Sequence, residues 1–189
     1  METLVKQFVA ALQELTVKVA FAAGPAEAQA AVVTALQQRN ITEVIAWDDP
    51  LLDELGMPTA ARQAGIAWIA ATPEMSPEVY REAAANAGAG ITGVDWAVAD
   101  TGTLALLSGP GRPRSASLVP SVHIALVRKS LLRPNAAGLF KELTALSAAG
   151  GIPSSLNLVT GPSRTADIEH ILVRKVHGPG ELIAVLLEG

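Results

Sequence analysis

The sequence predicts an α/β protein, a mostly parallel sheet flanked by helices with a β-rich excursion in its middle. Three observations predict it. At both ends of the chain, short apolar β-branched runs alternate with stretches of helical spacing, the pattern of strands buried on both faces between helices. From Gly90 to Pro120 the helical periodicity fades, and Gly90, Gly93, Gly102, Gly109 and Gly111 punctuate short segments. Half of the residues are hydrophobic and only 4% are aromatic, so small aliphatic side chains must build the core.

Each element has its own justification. Leu4, Phe8, Leu12 and Leu15 recur at helical spacing, so residues 2–16 read as an amphipathic helix. Gly24-Pro25 ends a short apolar piece and opens a second helix, with Ala28, Val32, Ala35 and Leu36 on one side. Ile41–Trp47 reads as a buried strand, Asp48-Asp49-Pro50 as a turn, and residues 51–55 as a short helix ending near Gly56. Ile66–Ala70 is a second apolar run. Ser76 then caps a helix with Pro77 at its first position, and that helix stops before Gly88.

The middle reads as Trp96–Ala99, Leu104–Leu107 and Ser117–Val119, all short β segments, followed by the strand Val122–Val127. Pro134-Asn135 opens a helix whose expected apolar face is Leu139, Phe140, Leu143 and Leu146. Leu156–Val159 is a strand broken at Gly161-Pro162, a helix is expected from about 165 to 173, and Leu182–Leu187 is the final strand. At 189 residues, one α/β domain over 1–189 is expected, with a helical segment over 1–40 packing on it.

Composition narrows the function. A net charge of −4 gives no basic face for nucleic acid or anionic membrane. No apolar run reaches bilayer length. Glu2, Lys6, Glu14 and Lys18 fall at helical spacings, as in a surface helix rather than a signal peptide, so the cytoplasm is the expected compartment. Cysteine is absent, which removes thiolate nucleophiles and iron–sulfur ligands from this chain. No close His/carboxylate cluster reads as a metal site, and the common phosphate-loop, dinucleotide and serine-hydrolase signatures are missing.

Two turns carry the candidate chemistry. In Leu156–Glu169 a strand passes through Gly161-Pro162-Ser163-Arg164 and is expected to enter a helix at Thr165. That layout aims backbone N–H groups at an anion. Arg164 supplies a two-pronged guanidinium, Gly161, Ser163 and Thr165 line the turn, and Asp167 falls in the first helical turn. An ordinary N-cap beside a solvated arginine fits the same residues equally well. Asp100-Thr101-Gly102-Thr103 lies between two apolar strands, where a carboxylate beside glycine can act as nucleophile or base, or simply close a β-turn. His177 stands in a Gly-Pro turn suited to acid–base work, whereas His123 begins an apolar strand as a core or rim residue. Gly109–Ser115 is a rigid basic loop, either a lid, an anion-facing arm or a solvated hairpin end.

Ile91-Thr92-Gly93-Val94-Asp95-Trp96-Ala97-Val98-Ala99-Asp100-Thr101-Gly102-Thr103-Leu104, Leu118-Val119-Pro120-Ser121-Val122-His123-Ile124, Gly161-Pro162-Ser163-Arg164-Thr165-Ala166-Asp167-Ile168-Glu169 and Val176-His177-Gly178-Pro179 follow one another in this order. Together they resemble the lactate-utilisation protein C family, also called the LUD-domain family. The resemblance implies a Rossmann-like sheet similar to the sugar-phosphate isomerase and CoA-transferase-like fold. It implies a bacterial accessory subunit that works with iron–sulfur partner proteins to oxidise L-lactate to pyruvate. Such a subunit would bind a small carboxylate or other anion through Gly102, Thr103, Gly161, Ser163, Arg164, Thr165 and Asp167. A stand-alone CoA-transferase- or isomerase-like enzyme is the alternative, with Asp100 as nucleophile or base and His177 as acid or base. A non-catalytic binding module is a third reading. Self-association is compatible with each, and no cofactor is specified.

Overall fold

The computed structural model describes residues 1–151, 153–166, 172–174 and 178–188. Along the chain run α1 (Glu2–Glu14), β1 (Lys18–Ala22), α2 (Pro25–Gln37), β2 (Glu43–Trp47), α3 (Pro50–Glu54), α4 (Met57–Gln63), β3 (Ala67–Ala71), α5 (Pro77–Asn86), β4 (Ala89–Gly93), β5 (Trp96–Val98), β6 (Thr103–Ser108), α6 (Ser115–Leu118), β7 (Val122–Arg128), β8 (Leu132–Arg133), α7 (Ala136–Ala148), β9 (Ser155–Val159), β10 (Arg164–Ala166), β11 (Leu172–Arg174) and β12 (Glu181–Leu187).

Six strands form one sheet in the order β1-β12-β7-β4-β2-β3, and every pairing in it is parallel. Its strands alternate in period two, so each face buries its own set of side chains. Val44, Ala46, Ile124, Leu126, Ile183 and Val185 face one cluster with Val32 and Leu36 of α2, Leu52 of α3 and Met57 of α4. Ile45, Trp47, Ala125, Val127, Ala184 and Leu186 face the other, with Phe8 and Leu12 of α1 and Tyr80 and Ala84 of α5.

The expected β-rich excursion forms a second sheet, β8-β5-β6-β9, in which β6 pairs antiparallel with β5 and β9 while β5 pairs parallel with β8. It packs through Leu104 and Leu106 on the second face of the large sheet. α7 covers its outer side with Leu139, and Leu143 packs there half-buried. Asn135 caps α7 by accepting from the Gly138 N–H. Ser76 caps α5 in the same way through the Val79 N–H.

Several elements differ from expectation. The segment 1–40 is not wholly helical, because the apolar piece before Gly24 is β1, an edge strand paired with β12. α4 has no counterpart in the sequence expectation; left-handed Gly56, at φ 66°, reverses the chain after α3 and starts it. Ser117–Val119 is not a strand. Its residues belong to or follow the single helical turn α6, which lies against β4 so closely that a Cβ at Gly90 would stand 1.7 Å from the Ala116 carbonyl oxygen. Phe140 is 55% exposed rather than part of the buried face, since the contact surface of α7 is only as wide as Leu139 and Leu143.

The expected helix over 165–173 is the most consequential difference. Arg164–Ala166 and Leu172–Arg174 form an antiparallel pair, with Thr165 opposite Val173. The backbone groups of Thr165 therefore serve a strand pairing instead of a helix N-terminus.

Candidate functional site: two clefts at opposite ends of the sheet

β6 pairs antiparallel with both β5 and β9, and this register brings the two sequence-predicted turns side by side. The β5–β6 turn holds Asp100 to Gly102, and the chain leaves β9 through Thr160 and Gly161. A chain of hydroxyls joins them: Thr101 Oγ1 lies 2.8 Å from Thr103 Oγ1, which lies 2.8 Å from Thr160 Oγ1. Both turns rest on the C-terminal end of α1. Gly102 has φ 65°, and a Cβ there would lie 3.1 Å from the Leu12 nitrogen. Gly161 has φ 85° and approaches Leu15 in the same manner.

Not every predicted residue shares this site. Asp100 is exposed, and its N–H donates to the Pro134 carbonyl at 3.2 Å. Thr103 is buried and holds the turns together. Ser163 donates its N–H to the Pro179 carbonyl at 2.8 Å. Arg164 and Thr165 are placed by their backbone in β10. Asp167 and His177 lie outside the described residues. The helix-dipole argument for an anion at Thr165 falls with the helix.

Beside the second turn is a cavity of about 420 Å³, lined by Thr160, Gly161, Ser163, Pro179, Leu158 and His123 among others. It opens at the amino ends of β7 and β12, since His123 and Leu182 are the second residues of those strands. His123 is buried, and its Nε2 lies 2.9 Å from Thr92 Oγ1. Its Nδ1 is buried without a partner among the described residues. Burial lowers the imidazole pKa from 6.5 to about 4, so the ring is neutral near pH 7. The sequence places His123 in the core or at a rim. It carries no signal of the cavity beside this ring, because that cavity is assembled from segments distant in sequence.

A wider cavity of about 680 Å³ lies at the other end, where β3 stops at Ala71. Open α/β sheets bind ligands beyond the carboxyl ends of their strands. The Gly109–Ser115 loop forms one wall, and it is clamped from below. Arg112 donates to both oxygens of Asp95 at 2.9 and 3.0 Å and stacks 4.2 Å over the Trp47 ring. Asp49 stands 3.8 Å from the same guanidinium. Trp47 Nε1 donates to the Pro113 carbonyl at 3.0 Å, and the Asp48 N–H donates to Gly111 at 2.9 Å. The loop is a fixed arm, with the guanidinium of Arg112 turned inward as a clamp and Arg114 exposed above it.

Among the described residues no group of three or more His, Cys, Asp or Glu side chains can hold a metal ion. Nor is any described helix long and apolar enough to cross a membrane.

An all-parallel sheet covered on both faces and carrying a smaller sheet of mostly antiparallel pairing defines an α/β protein. The LUD domain model matches residues 5–187, and the chain belongs to the LUD domain family. It is 36% identical over 160 residues to lactate utilization protein C of Halalkalibacterium halodurans, covering 84% of this chain and 68% of that protein. It is 38% identical over 138 residues to the protein of the same name from Macrococcus caseolyticus, covering 72% and 58%. Its match to the uncharacterized protein YkgG of Escherichia coli is 31% over 166 residues, covering 86% and 70%. The chain thus spans less than two thirds of the Macrococcus relative. A DUF162 family protein from Deinococcus radiodurans has the same fold, with a TM-score of 0.69 at 24% identity over 98% of this chain and 97% of that one.

Proposed function

We propose that this protein takes part in bacterial lactate utilisation as an accessory subunit that binds a small carboxylate. It acts beside iron–sulfur partner proteins in the oxidation of lactate to pyruvate. The observation that carries the role is its membership of the LUD family with relatives named lactate utilization protein C at 36–38% identity. The absence of cysteine fits a subunit that leaves electron transfer to others.

The binding site we assign is the 420 Å³ cleft beside the Thr160–Ser163 turn. Ser163 and Thr160 line it, and neutral His123 forms part of its wall. Arg164 follows directly in the chain as the charge partner of the carboxylate. Asp100 is assigned no part in binding.

Titration calorimetry on the purified protein with lactate, pyruvate, phosphate and coenzyme A tests the ligand. Lactate or pyruvate should bind, and Arg164→Ala should weaken that binding by roughly 2 kcal/mol, as for the loss of one partner of a desolvated ion pair. Purification from the native host tests the role. Recovery without any iron–sulfur protein, together with intact growth on lactate after deletion, would overturn it.

A further inference from the structure

The 680 Å³ cavity at the carboxyl end of β3 takes no part in the function proposed above, yet it is the better-built anion site. Two arginines, Arg81 and Arg114, line it. Arg81 is held by Glu78 at 3.1 Å and by the Pro77 carbonyl, whereas Arg114 has no side-chain partner among the described residues. Tyr80 lines the cavity and is 4% exposed, and its hydroxyl is buried without a partner among the described residues. Burial pushes this phenol well above its ordinary pKa, so it stays protonated and can donate. A buried hydroxyl left unpaired costs free energy unless a ligand or water pairs it.

The rest of the lining decides the class of ligand. Thr72 and Ser115 add hydroxyls, and no carboxylate lines the cavity among the described residues. Pro73, Met75 and Pro110 add apolar surface. The volume lies in the range of cavities that hold whole organic ligands rather than single small ions. Two arginines, a phenol and two hydroxyls offer more donors than one carboxylate uses, and suit the oxygens of a phosphoryl group. The arm carrying Arg114 is already fixed by the Arg112–Asp95 clamp, so little ordering is needed on binding.

We propose that this cavity binds an organic phosphate of nucleotide size, its phosphoryl oxygens held by Arg81, Arg114 and the Tyr80 hydroxyl and its body lying on the proline- and methionine-lined wall. The site is separate from the turn cleft, so either proposal can fail alone.

The test is calorimetric titration of the full chain with ADP, inorganic pyrophosphate and adenosine, at low and at physiological salt. ADP should bind in the micromolar range, pyrophosphate more weakly, and adenosine hardly at all. Arg114→Ala should weaken ADP binding at least tenfold, and Tyr80→Phe several-fold. Arg114 is exposed, so its variant should keep the parent unfolding midpoint, which separates lost binding from lost fold. In the Arg114→Ala variant, lactate binding should be unchanged. Absence of ADP binding below the millimolar range would overturn the proposal. So would equal affinity for adenosine, or unchanged ADP affinity in Arg114→Ala.

Discussion

At His123 one ring nitrogen is paired with Thr92 and the other is buried without a partner among the described residues. The folded protein holds this ring at a pKa of about 4, against 6.5 when unfolded. As pH falls below 6.5 the unfolded chain takes up the proton first, so stability declines between about pH 6.5 and 4. The slope is at most about 1.4 kcal/mol per pH unit from this one group. Denaturant melts at pH 7, 5.5 and 4.5 should show the decline, and His123→Gln should flatten it while keeping an amide near Thr92. A variant with the parent's slope would mean that other groups set the acid response. Arg112 makes a second residue-level case. Its fork on Asp95 and its stack over Trp47 depend on a planar guanidinium. Arg112→Lys should lower stability by roughly 1–3 kcal/mol in urea unfolding, and should free the Gly109–Ser115 arm to proteolysis.

Among the elements, α6 is the tightest fit. It is one helical turn laid directly on β4, and it returns the chain to the amino end of the sheet to start β7. Only a glycine at position 90 leaves room, because a Cβ would overlap the Ala116 carbonyl oxygen. Gly90→Ala must push α6 off the sheet, and should destabilise by about 3 kcal/mol or more. Unchanged thermal unfolding in that variant would show that α6 does not rest on β4 at this position. α6 also shows how an element misleads a reader of sequence. Ser115–Leu118 is too short for helical periodicity, and its proximity to β4 is a tertiary fact. Arg164–Ala166 misleads in another way. Hydroxyls after Gly-Pro are ordinary helix-start chemistry, yet the backbone pairs with Leu172–Arg174 instead.

For the molecule as a whole, the amino-end rim of the large sheet is tied across three elements by one carboxylate. Glu181 at the start of β12 accepts from Arg39 Nε at 2.7 Å and pairs with Lys18 Nζ at 2.7 Å. The Arg39 hydrogen bond, followed by the Lys18 contacts, holds its pKa at about 2 against 4.5. Because the folded pKa is depressed, this stabilisation is complete above pH 4.5 and is lost as pH falls toward 2. Arg39→Gln should cost on the order of 1–2 kcal/mol at pH 7 and nothing near pH 2, as read from unfolding midpoints across that range. Its window lies below that of His123, so the two can be resolved in one pH series.

Much of the architecture was legible because local rules and burial agree. Near-continuous apolar runs in Val44–Trp47, Val122–Val127 and Leu182–Leu187 mark strands whose two faces both meet helices or a second sheet, and Ser76-Pro77 and Asn135 announce their helices by the chemistry of capping. The turns at Asp100–Thr103 and Thr160–Ser163 could also be singled out, since glycine and hydroxyls at strand ends are visible in one dimension. What no reading along the chain contains is adjacency. That Thr103 meets Thr160, that Asp95 receives Arg112 over Trp47, that Tyr80 lines a cavity with Arg114, and that the predicted turns sit at the amino end of the sheet rather than its carboxyl end all depend on strand order. Strand order is settled by which hydrophobic faces bury one another, an interaction between residues far apart in sequence.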